Sequence, residues 1–236
     1  MNASVDVIVL THNAEDTISD FLNAFTKNTH ADHRLILMDN GSSDDTMREF
    51  LLFPNVLAHS SCDNLGVIGG RNKAFEHSSA DIVVFLDDDQ FVHPGWLSHH
   101  LDVMNRGYDI VGVEAWSMTS RFYPNKQVVD ITDSFNYVGC GGMMIRRHVI
   151  DSIGLFDEAF SPAYFEDPDF CFRAIEAGYK IGWNVNAKIT HLSHSTLGSD
   201  AAAEKRFLLS HRKFIEKWRG KPLSYMKQDF LPEFDQ

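Results

Sequence analysis

Short runs of apolar, mostly β-branched residues alternate with longer segments of helical spacing in the first half of the chain. The runs VDVIVL, RLILMD, DIVVFL and DIVGVEA predict strands buried on both faces, at residues 5–10, 34–39, 81–86 and 109–115. The remaining periodic segments predict helices at 16–28, 44–53, 70–78 and 96–105. This alternation indicates βαβ units and therefore an α/β fold with a mainly parallel sheet.

The second half of the chain has a less regular pattern. The run VGCGGMMIRR at 138–147 predicts a strand whose glycines let another group approach the backbone closely. Residues 168–177 predict a helix followed by Gly178 at the first position beyond its C-cap, and 179–191 predict a further strand. In the first half, the Ser42-Ser43 pair predicts the N-cap of the second helix.

Composition narrows the class of protein. The 236 residues are 44% hydrophobic and include 18 Phe, enough to bury a sizeable core. The net charge of −12 argues against a nucleic-acid partner. The three widely spaced cysteines are typical of a reducing compartment. No apolar run of about 18 residues or signal-like start is present, so we expect a cytoplasmic protein.

The charge is distributed unevenly along the chain. Residues 204–227 contain eight Lys or Arg and two Glu, a net charge of +6, which leaves −18 for the rest of the −12 chain. Apolar residues recur there at helical spacing, so we predict that 198–236 form a basic helical extension. Such a helix either contacts an anionic membrane at its inner face or packs on the acidic body of the protein.

Polar residues stand at the ends of three predicted strands. Thr11 and Asn13 follow the first strand, Asp39 ends the second, and three adjacent carboxylates, Asp87 to Asp89, end the third. Ligands of open α/β sheets bind at the carboxyl ends of strands, so a nucleotide and a divalent cation suit this edge. The glycine-rich segment 64–72 adds an anion-binding candidate with Arg71. The alternative for the aspartates is a solvated strand end.

Eight segments occur in an order that is specific to one family. They are VIVLTHN, LILMDNGSSDDT, DNLGVIGGRN, VVFLDDD, GGMMIRR, GLFDEAF, FEDPDFCFRAIEAGYKI and the region of His191. In this order the chain resembles a family 2 glycosyltransferase of the GT-A fold, which has a Rossmann-like sheet with helices on both faces. The resemblance implies a domain over 1–197, with a nucleotide-binding half at 1–112 and an acceptor and catalytic half at 113–197.

The resemblance also implies a role for each matching residue. Asp167 would be the catalytic base of an inverting transfer. The metal, Mn²⁺ or Mg²⁺, would be held by Asp87, Asp89 and His191. The nucleotide-sugar would contact Thr11, Asn13, Asp39, Arg71, Asp87, Asp88 and Gly142, and Trp116 and Glu166 are candidate contacts to the acceptor or donor. Because three aspartates are consecutive, the metal-binding pair is either Asp87 with Asp89 or Asp88 with Asp89. Asp167 precedes Pro168 and has a second interpretation as a helix N-cap.

The identity of the substrates is less constrained. A carboxylate at Asp39 suits the N3–H of uracil or thymine, so a UDP- or dTDP-sugar is the favoured donor. A glycan, a lipid-linked glycan and a protein all remain open as acceptors. Two alternatives to an active glycosyltransferase remain open. One is a catalytically inactive binding domain of the same fold. The other is a sugar-nucleotide nucleotidyltransferase, although the glycine- and basic-rich N-terminal signature of that class is absent from THNAEDTISDF.

Overall fold

The computed structural model describes residues 3–191 and 201–228. The strands are β1 (Val5–Thr11), β2 (Arg34–Asp39), β3 (Val56–Ser60), β4 (Ile82–Asp87), β5 (Gln90–Val92), β6 (Ile110–Gly112), β7 (Ala115–Met118), β8 (Pro124–Val128), β9 (Tyr137–Val138), β10 (Met143–Arg146), β11 (Ile181–Trp183) and β12 (Ile189–His191). The α-helices are α1 (Ile18–Asn28), α2 (Thr46–Phe50), α3 (Gly66–Phe75), α4 (Trp96–Asn105), α5 (Arg147–Ile153), α6 (Glu166–Glu176) and α7 (Ala201–Trp218).

A seven-stranded sheet forms the centre of the domain, in the order β11-β6-β10-β4-β1-β2-β3. Its neighbouring strands are parallel except for β10, which is antiparallel to both β4 and β6. The short pair β12-β5 and the three-stranded β8-β7-β9 unit are antiparallel. The predicted α/β class with a mainly parallel sheet is confirmed.

Each face of the sheet carries its own hydrophobic core. Successive side chains of a strand point to opposite faces, so Val7 and Val9 pack in one core while Ile8 and Leu10 pack in the other. The first core also contains side chains of α1 and α4, and the second contains side chains of α3, α5, α6 and α7. Helices therefore cover both faces, as predicted, and the buried strands are apolar at most positions, with Asp6 of β1 as an exception.

The predicted and observed strands differ in several places, and the short strands β5 and β8 were not predicted. β3 was not predicted, because this edge strand is half exposed and its sequence, VLAHS, has no clear pattern. The predicted strand 109–115 divides into β6 and β7 after Gly112, where a Cβ atom would lie 2.3 Å from Val138. The predicted strands 138–147 and 179–191 each contain two short strands: β9 and β10, and β11 and β12.

Helix α4 has its predicted bounds, whereas α1, α2, α3 and α6 are shifted relative to theirs. α2 begins at Thr46 with Asp45 at its N-cap, so the predicted Ser42-Ser43 cap is wrong. The glycine-rich segment 64–72 is largely helical, because α3 begins at Gly66. Gly70 packs where a Cβ atom would lie 2.7 Å from Leu10. Gly178 has a φ of +87° just beyond the C-cap of α6, as predicted.

Helix α7 packs against the main body, which agrees with one of the two interpretations of the basic segment. Phe214 and Trp218 lie in the same core as α6, and Lys217 Nζ lies 2.8 Å from Asp169 Oδ1. Whether a boundary at 197/198 separates two units stays a prediction. Among residues 3–191 and 201–228, no helix combines the length and apolar character that crossing a bilayer requires.

Candidate active site

A cavity of about 750 Å³ opens at the carboxyl ends of the central strands. Thr11 at the end of β1, Asn40 just after β2 and the aspartates that follow β4 line one side. The opposite side is formed by the start of α6 and by the β8-β7-β9 unit. Strand-end geometry therefore brings together residues that are far apart in the sequence, as the α/β topology predicted.

One side of the cavity contains a group of ligand atoms suited to a metal ion. One atom each from Asp87, Asp89 and His191 lie within 4.8 Å of one another. His191 Nε2 lies 3.1 Å from Asp89 Oδ1, and this hydrogen bond to Asp89 raises the pKa of His191. The two carboxylates supply hard oxygen ligands, and the imidazole supplies a nitrogen. The residues predicted to hold the metal thus lie at one place.

A tight turn points the side chains of the three aspartates in different directions. Asp88 and Asp89 form the turn between β4 and β5, so consecutive side chains point in different directions. Asp88 Oδ2 accepts a 2.5 Å hydrogen bond from the Thr11 hydroxyl, and burial raises the pKa of Asp88 to about 6. The geometry favours Asp87 with Asp89 as the metal-binding pair, because Asp88 faces the end of β1.

The backbone of this turn is held by Gln90. Its Oε1 accepts a 3.0 Å hydrogen bond from the Asp87 amide. Gly141 packs directly against Gln90, since a Cβ atom there would lie 2.1 Å from Gln90 Nε2. Gly141 is therefore a position in the cavity wall where the absence of a side chain lets Gln90 pack directly against the backbone. Close approach to the backbone was predicted for the glycines of the segment 138–147, whereas Gln90 was not among the predicted site residues, because a lone Gln after three aspartates gave no signal.

Arg71 links the metal side of the cavity to the start of α6. Its side chain is only 6% exposed, and Nη2 donates a 2.6 Å hydrogen bond to Asp87 Oδ1. Its Nη1 lies 3.5 Å from Glu166 Oε1. A buried guanidinium between two carboxylates compensates charges that would be costly alone. Arg71, predicted to contact the nucleotide-sugar, lines the cavity from this buried position.

Glu166 and Asp167 lie at the first turn of α6. The N-cap of this helix is Phe165, with a φ of +69°, so the interpretation of Asp167 as the N-cap is wrong. Burial and the neighbouring charge of Glu166 raise the pKa of Asp167, and the Arg71 charge opposes this shift. Asp167 Oδ1 and Glu166 Oε2 are buried without a hydrogen-bond partner among the described residues. Both side chains line the cavity.

Three residues predicted for the nucleotide-sugar do not line the cavity. Asn13 is exposed, and its Oδ1 accepts a 2.9 Å hydrogen bond from the Ser43 amide. Asp39 is buried and accepts a 3.0 Å hydrogen bond from the Ser42 amide. Gly142, with a φ of +82°, packs against Val113 and Ile189. Their places at the wall are taken by His12, Asn40, Asn64 and Gly141.

The side of the cavity away from the metal group is largely aromatic. Trp116, Tyr137, Tyr164 and Phe207 line it, and the role of Trp116 as a contact to the acceptor or donor stays a prediction. Phe207 comes from α7, and its ring centroid lies 5.6 Å from that of Tyr164. Glu114 also lines this side, and a Cβ atom at Gly139 would lie within 4 Å of both Glu114 and Trp116. The sequence gave no signal for Phe207, because its place depends on how α7 packs.

The cavity is strongly acidic. Six carboxylates line it: Asp87, Asp88, Asp89, Glu114, Glu166 and Asp167. The described lysine and arginine side chains that line it are Arg71, which is already bonded to two of the carboxylates, and Arg206. An anionic ligand such as a diphosphate therefore needs a cation to offset this charge, and the Asp87, Asp89 and His191 group is suited to hold one.

Comparison with known proteins identifies the class to which this fold and site belong. The sequence profile of glycosyl transferase family 2 matches residues 6–153, more than half of the chain. The chain belongs to glycosyl transferase family 2, a family of sugar transferases. The resemblance seen in the eight sequence segments is confirmed.

Individual relatives are distant but cover most of the chain. Glycosyltransferase AglE of Haloferax volcanii is 28% identical over 193 residues, covering 75% of this chain and 63% of that protein. The O-antigen chain rhamnosyltransferase WbaN of Salmonella anatum is 27% identical over 213 residues, covering 81% of this chain and 67% of that protein. The chain thus spans about two thirds of the length of these two relatives.

Two solved structures share the architecture. GalNAc-T7, crystallised with UDP, GalNAc and Mn²⁺, has a TM-score of 0.72 at 14% identity, over 93% of this chain and 48% of that one. The mannosyltransferase PcManGT of Pyrobaculum calidifontis, in complex with GDP-Man and Mn²⁺, has a TM-score of 0.68 at 14% identity, over 94% of this chain and 66% of that one. At such low identity the likeness shows the fold alone, which is GT-A.

Proposed function

We propose that the protein transfers a glycosyl group from a nucleoside diphosphate sugar to an acceptor hydroxyl, with inversion at the anomeric carbon. One observation carries the proposal: a single cavity of about 750 Å³ holds both a cation-binding group and a separate carboxylate, Asp167. Membership of glycosyl transferase family 2 supports sugar transfer as the reaction class.

The residues around Asp87 fit a divalent cation. Carboxylate oxygens suit both Mg²⁺ and Mn²⁺, and the single imidazole of His191 moves the preference toward Mn²⁺. When bound, the cation neutralises charge that develops on the leaving nucleoside diphosphate. Asp87 has a second task, since it also accepts a hydrogen bond from Arg71. Arg71 therefore fixes the orientation of one carboxylate before any ligand arrives.

Asp167 is proposed to act as the base. The acceptor oxygen forms a bond to the anomeric carbon while the bond to the diphosphate oxygen breaks, and the acceptor hydroxyl proton passes to Asp167. A carboxylate in a buried site is a stronger base than one in water, and the raised pKa of Asp167 agrees with that role. Glu166 is held toward Arg71 and is less suited to receive the proton.

The donor is proposed to be a UDP- or dTDP-sugar. The proposal depends on Asp39, whose carboxylate can accept a hydrogen bond from the N3–H of uracil or thymine. Asp39 is buried and does not line the cavity, whereas its neighbours Thr11 and Asn40 do, so this contact requires the wall to open when the base binds. The similar structures were solved with UDP in one case and GDP-Man in the other, so a nucleotide panel is the direct test.

The aromatic side of the cavity is proposed to bind the acceptor. The apolar faces of a sugar ring pack on aromatic side chains, and Trp116, Tyr164 and Phe207 provide such surfaces. Glu114, partly buried beside them, can accept hydrogen bonds from ring hydroxyls. This arrangement favours an acceptor that presents a sugar, free or lipid-linked, over a protein side chain.

The test is release of nucleoside diphosphate from UDP-, dTDP- and GDP-sugars, with Mn²⁺, with Mg²⁺ and with EDTA. We expect turnover of one donor class that depends on the metal and is lost in Asp167→Asn. The matched control is Asp102→Asn, an exposed position on α4, which keeps wild-type turnover. Metal-dependent binding of the donor without turnover would instead support the inactive binding domain, and turnover that requires pyrophosphate would support a nucleotidyltransferase.

A further inference from the structure

Helix α7 has two faces with different partners. Its inner face buries Ala203, Ser210, Phe214 and Trp218 against the core. Lys213 and Lys217 also point to the main body, where Lys213 Nζ donates to the Ala159 carbonyl and Lys217 Nζ lies 2.7 Å from Asp157 Oδ2. These contacts fix the orientation of the helix and therefore decide which residues face outward.

The outward face combines apolar and basic side chains. Leu208 is 47% exposed and Leu209 is 46% exposed, although leucine is usually buried. Lys205 precedes them by about one turn and Arg212 follows them by about one turn, and both are exposed. Together they line a shallow groove of about 410 Å³. We refer to Lys205, Leu208, Leu209 and Arg212 as the outer face of α7.

The outer face adjoins the mouth of the catalytic cavity. Arg206 and Phe207, which lie between Lys205 and Leu208 in the sequence, both line that cavity. The same two turns of helix therefore contact the active site on one side and are exposed on the other. A surface that covers the outer face would lie beside the aromatic wall proposed to bind the acceptor.

Charge indicates what kind of surface fits. Among the basic residues of 204–227, Lys213, Lys217 and Lys221 bond to the main body, whereas Lys205 and Arg212 are exposed on the outer face. A basic segment on an acidic protein orients that protein on an anionic surface, because the other faces are repelled. Exposed leucines flanked by basic residues are typical of a helix that lies in a membrane interface, with the charged ends of the long side chains reaching the headgroups.

We propose that the outer face of α7 docks the protein on an anionic lipid bilayer and brings the cavity mouth to an acceptor held in that membrane. The delivery of the cavity mouth to a membrane-held acceptor rests on the proposed glycosyl transfer, whereas the docking on the bilayer does not. The leucines supply apolar burial, and Lys205 and Arg212 supply attraction to acidic headgroups. Glu204 lies at the edge of the same groove and limits that attraction, so the binding is expected to be reversible and sensitive to salt.

The experiment is co-sedimentation of the full chain with phosphatidylcholine vesicles and with vesicles of equal parts phosphatidylcholine and phosphatidylglycerol. We expect binding to the anionic vesicles, weaker binding at high salt, and little binding to phosphatidylcholine alone. The double variant Leu208→Ser/Leu209→Ser should bind the anionic vesicles at least about tenfold more weakly, because docking buries the exposed half of each leucine and two such halves together correspond to about one fully buried side chain. Lys205→Gln/Arg212→Gln should weaken binding and remove most of its dependence on salt.

The matched control is Leu51→Ser/Leu52→Ser. Leu51 and Leu52 are 75% and 69% exposed just after α2, so they test whether any exposed leucine pair has the same effect. Absence of wild-type binding to anionic vesicles, or equal binding by the Leu208/Leu209 variant, would overturn the docking proposal. A dimer in light scattering that the Leu208/Leu209 variant separates would also overturn it, in favour of a second copy of the chain. Donor turnover by the wild-type chain without vesicles reports on the proposed function separately.

Discussion

The Nε2 atom of His191 lies 3.1 Å from Oδ1 of Asp89, across the short antiparallel pair β12-β5. His191 is paired directly with Gln90 in that register, next to Asp89 in the sequence. The imidazole is therefore placed by backbone pairing as well as by its own hydrogen bond. This relationship brings His191 into the group of candidate metal ligands with Asp87 and Asp89.

Replacement of His191 by alanine should weaken metal binding. Loss of a residue that only supports a metal ligand lowers metal affinity by roughly 10- to 100-fold. His191 is itself a candidate ligand, so we expect its replacement to lower Mn²⁺ affinity by at least that factor. Titration calorimetry with Mn²⁺ in the presence of UDP measures the change. His30→Ala, an exposed position beyond α1, serves as the control. Equal Mn²⁺ affinity in His191→Ala and the wild type would place the cation elsewhere.

Replacement of Asp167 by asparagine should remove the base and leave the donor site intact. Turnover should fall by roughly 10²- to 10⁴-fold, the usual contribution of a positioned base, with little change in donor affinity. Burial and the charge of Glu166 raise the pKa of Asp167, so in the wild type kcat/KM should decrease as pH falls through that raised pKa. A bound cation lowers this pKa and moves the limb to lower pH. A pH profile without an acid limb, or near-normal turnover of Asp167→Asn, would contradict the assignment.

Replacement of Arg71 by methionine should destabilise the domain. The variant would leave Glu166 and Asp87 without their buried counter-charge, at a cost of about 3–5 kcal/mol in the free energy of unfolding. Urea denaturation measures this loss. Lys73→Met, an exposed position on the same helix, is the control. A stability loss of the same size in both variants would show that the buried network does not depend on Arg71.

Replacement of Asp169 by alanine should separate α7 from the body. Asp169 is fully buried, and it accepts hydrogen bonds from Trp218 Nε1 at 3.0 Å and from Arg173 Nε at 2.8 Å. Removing one member of such a buried pair costs about 3–5 kcal/mol in the free energy of unfolding. Asp157→Ala, which loses a partly exposed bond to Lys217, should cost much less. Similar unfolding curves for the two variants would refute this account of how α7 is held.

Much of the sheet could be predicted from the sequence because its central strands are buried on both faces. The strands β1, β2 and β4 are mostly apolar runs, and their ends carry Thr11, Asp39 and the three aspartates. The antiparallel insertion of β10 between β4 and β6 could not be read in the same way. It depends on pairing between segments far apart in the sequence, and a hydrophobic run does not encode its direction.

The site was predicted in part for a related reason. Thr11 and Asp87, at the ends of the buried strands β1 and β4, line the cavity, which the strand pattern led us to expect. Asn13 and Asp39 do not line it, because they bond to the Ser42-Ser43 turn, which was interpreted as a helix cap. Phe207 was missed because its position depends on the packing of α7, and periodicity predicts a helix without predicting its neighbours.

The most direct test of the central claim is thermal unfolding with a panel of nucleoside diphosphates, in Mn²⁺, in Mg²⁺ and in EDTA. A ligand that binds only the native state raises the unfolding temperature by mass action. The account predicts a rise with UDP or dTDP that requires the metal and disappears in Asp89→Asn. Unfolding temperatures that do not change with any nucleotide, with or without metal, would contradict a nucleotide-sugar site at Asp87, Asp89 and His191.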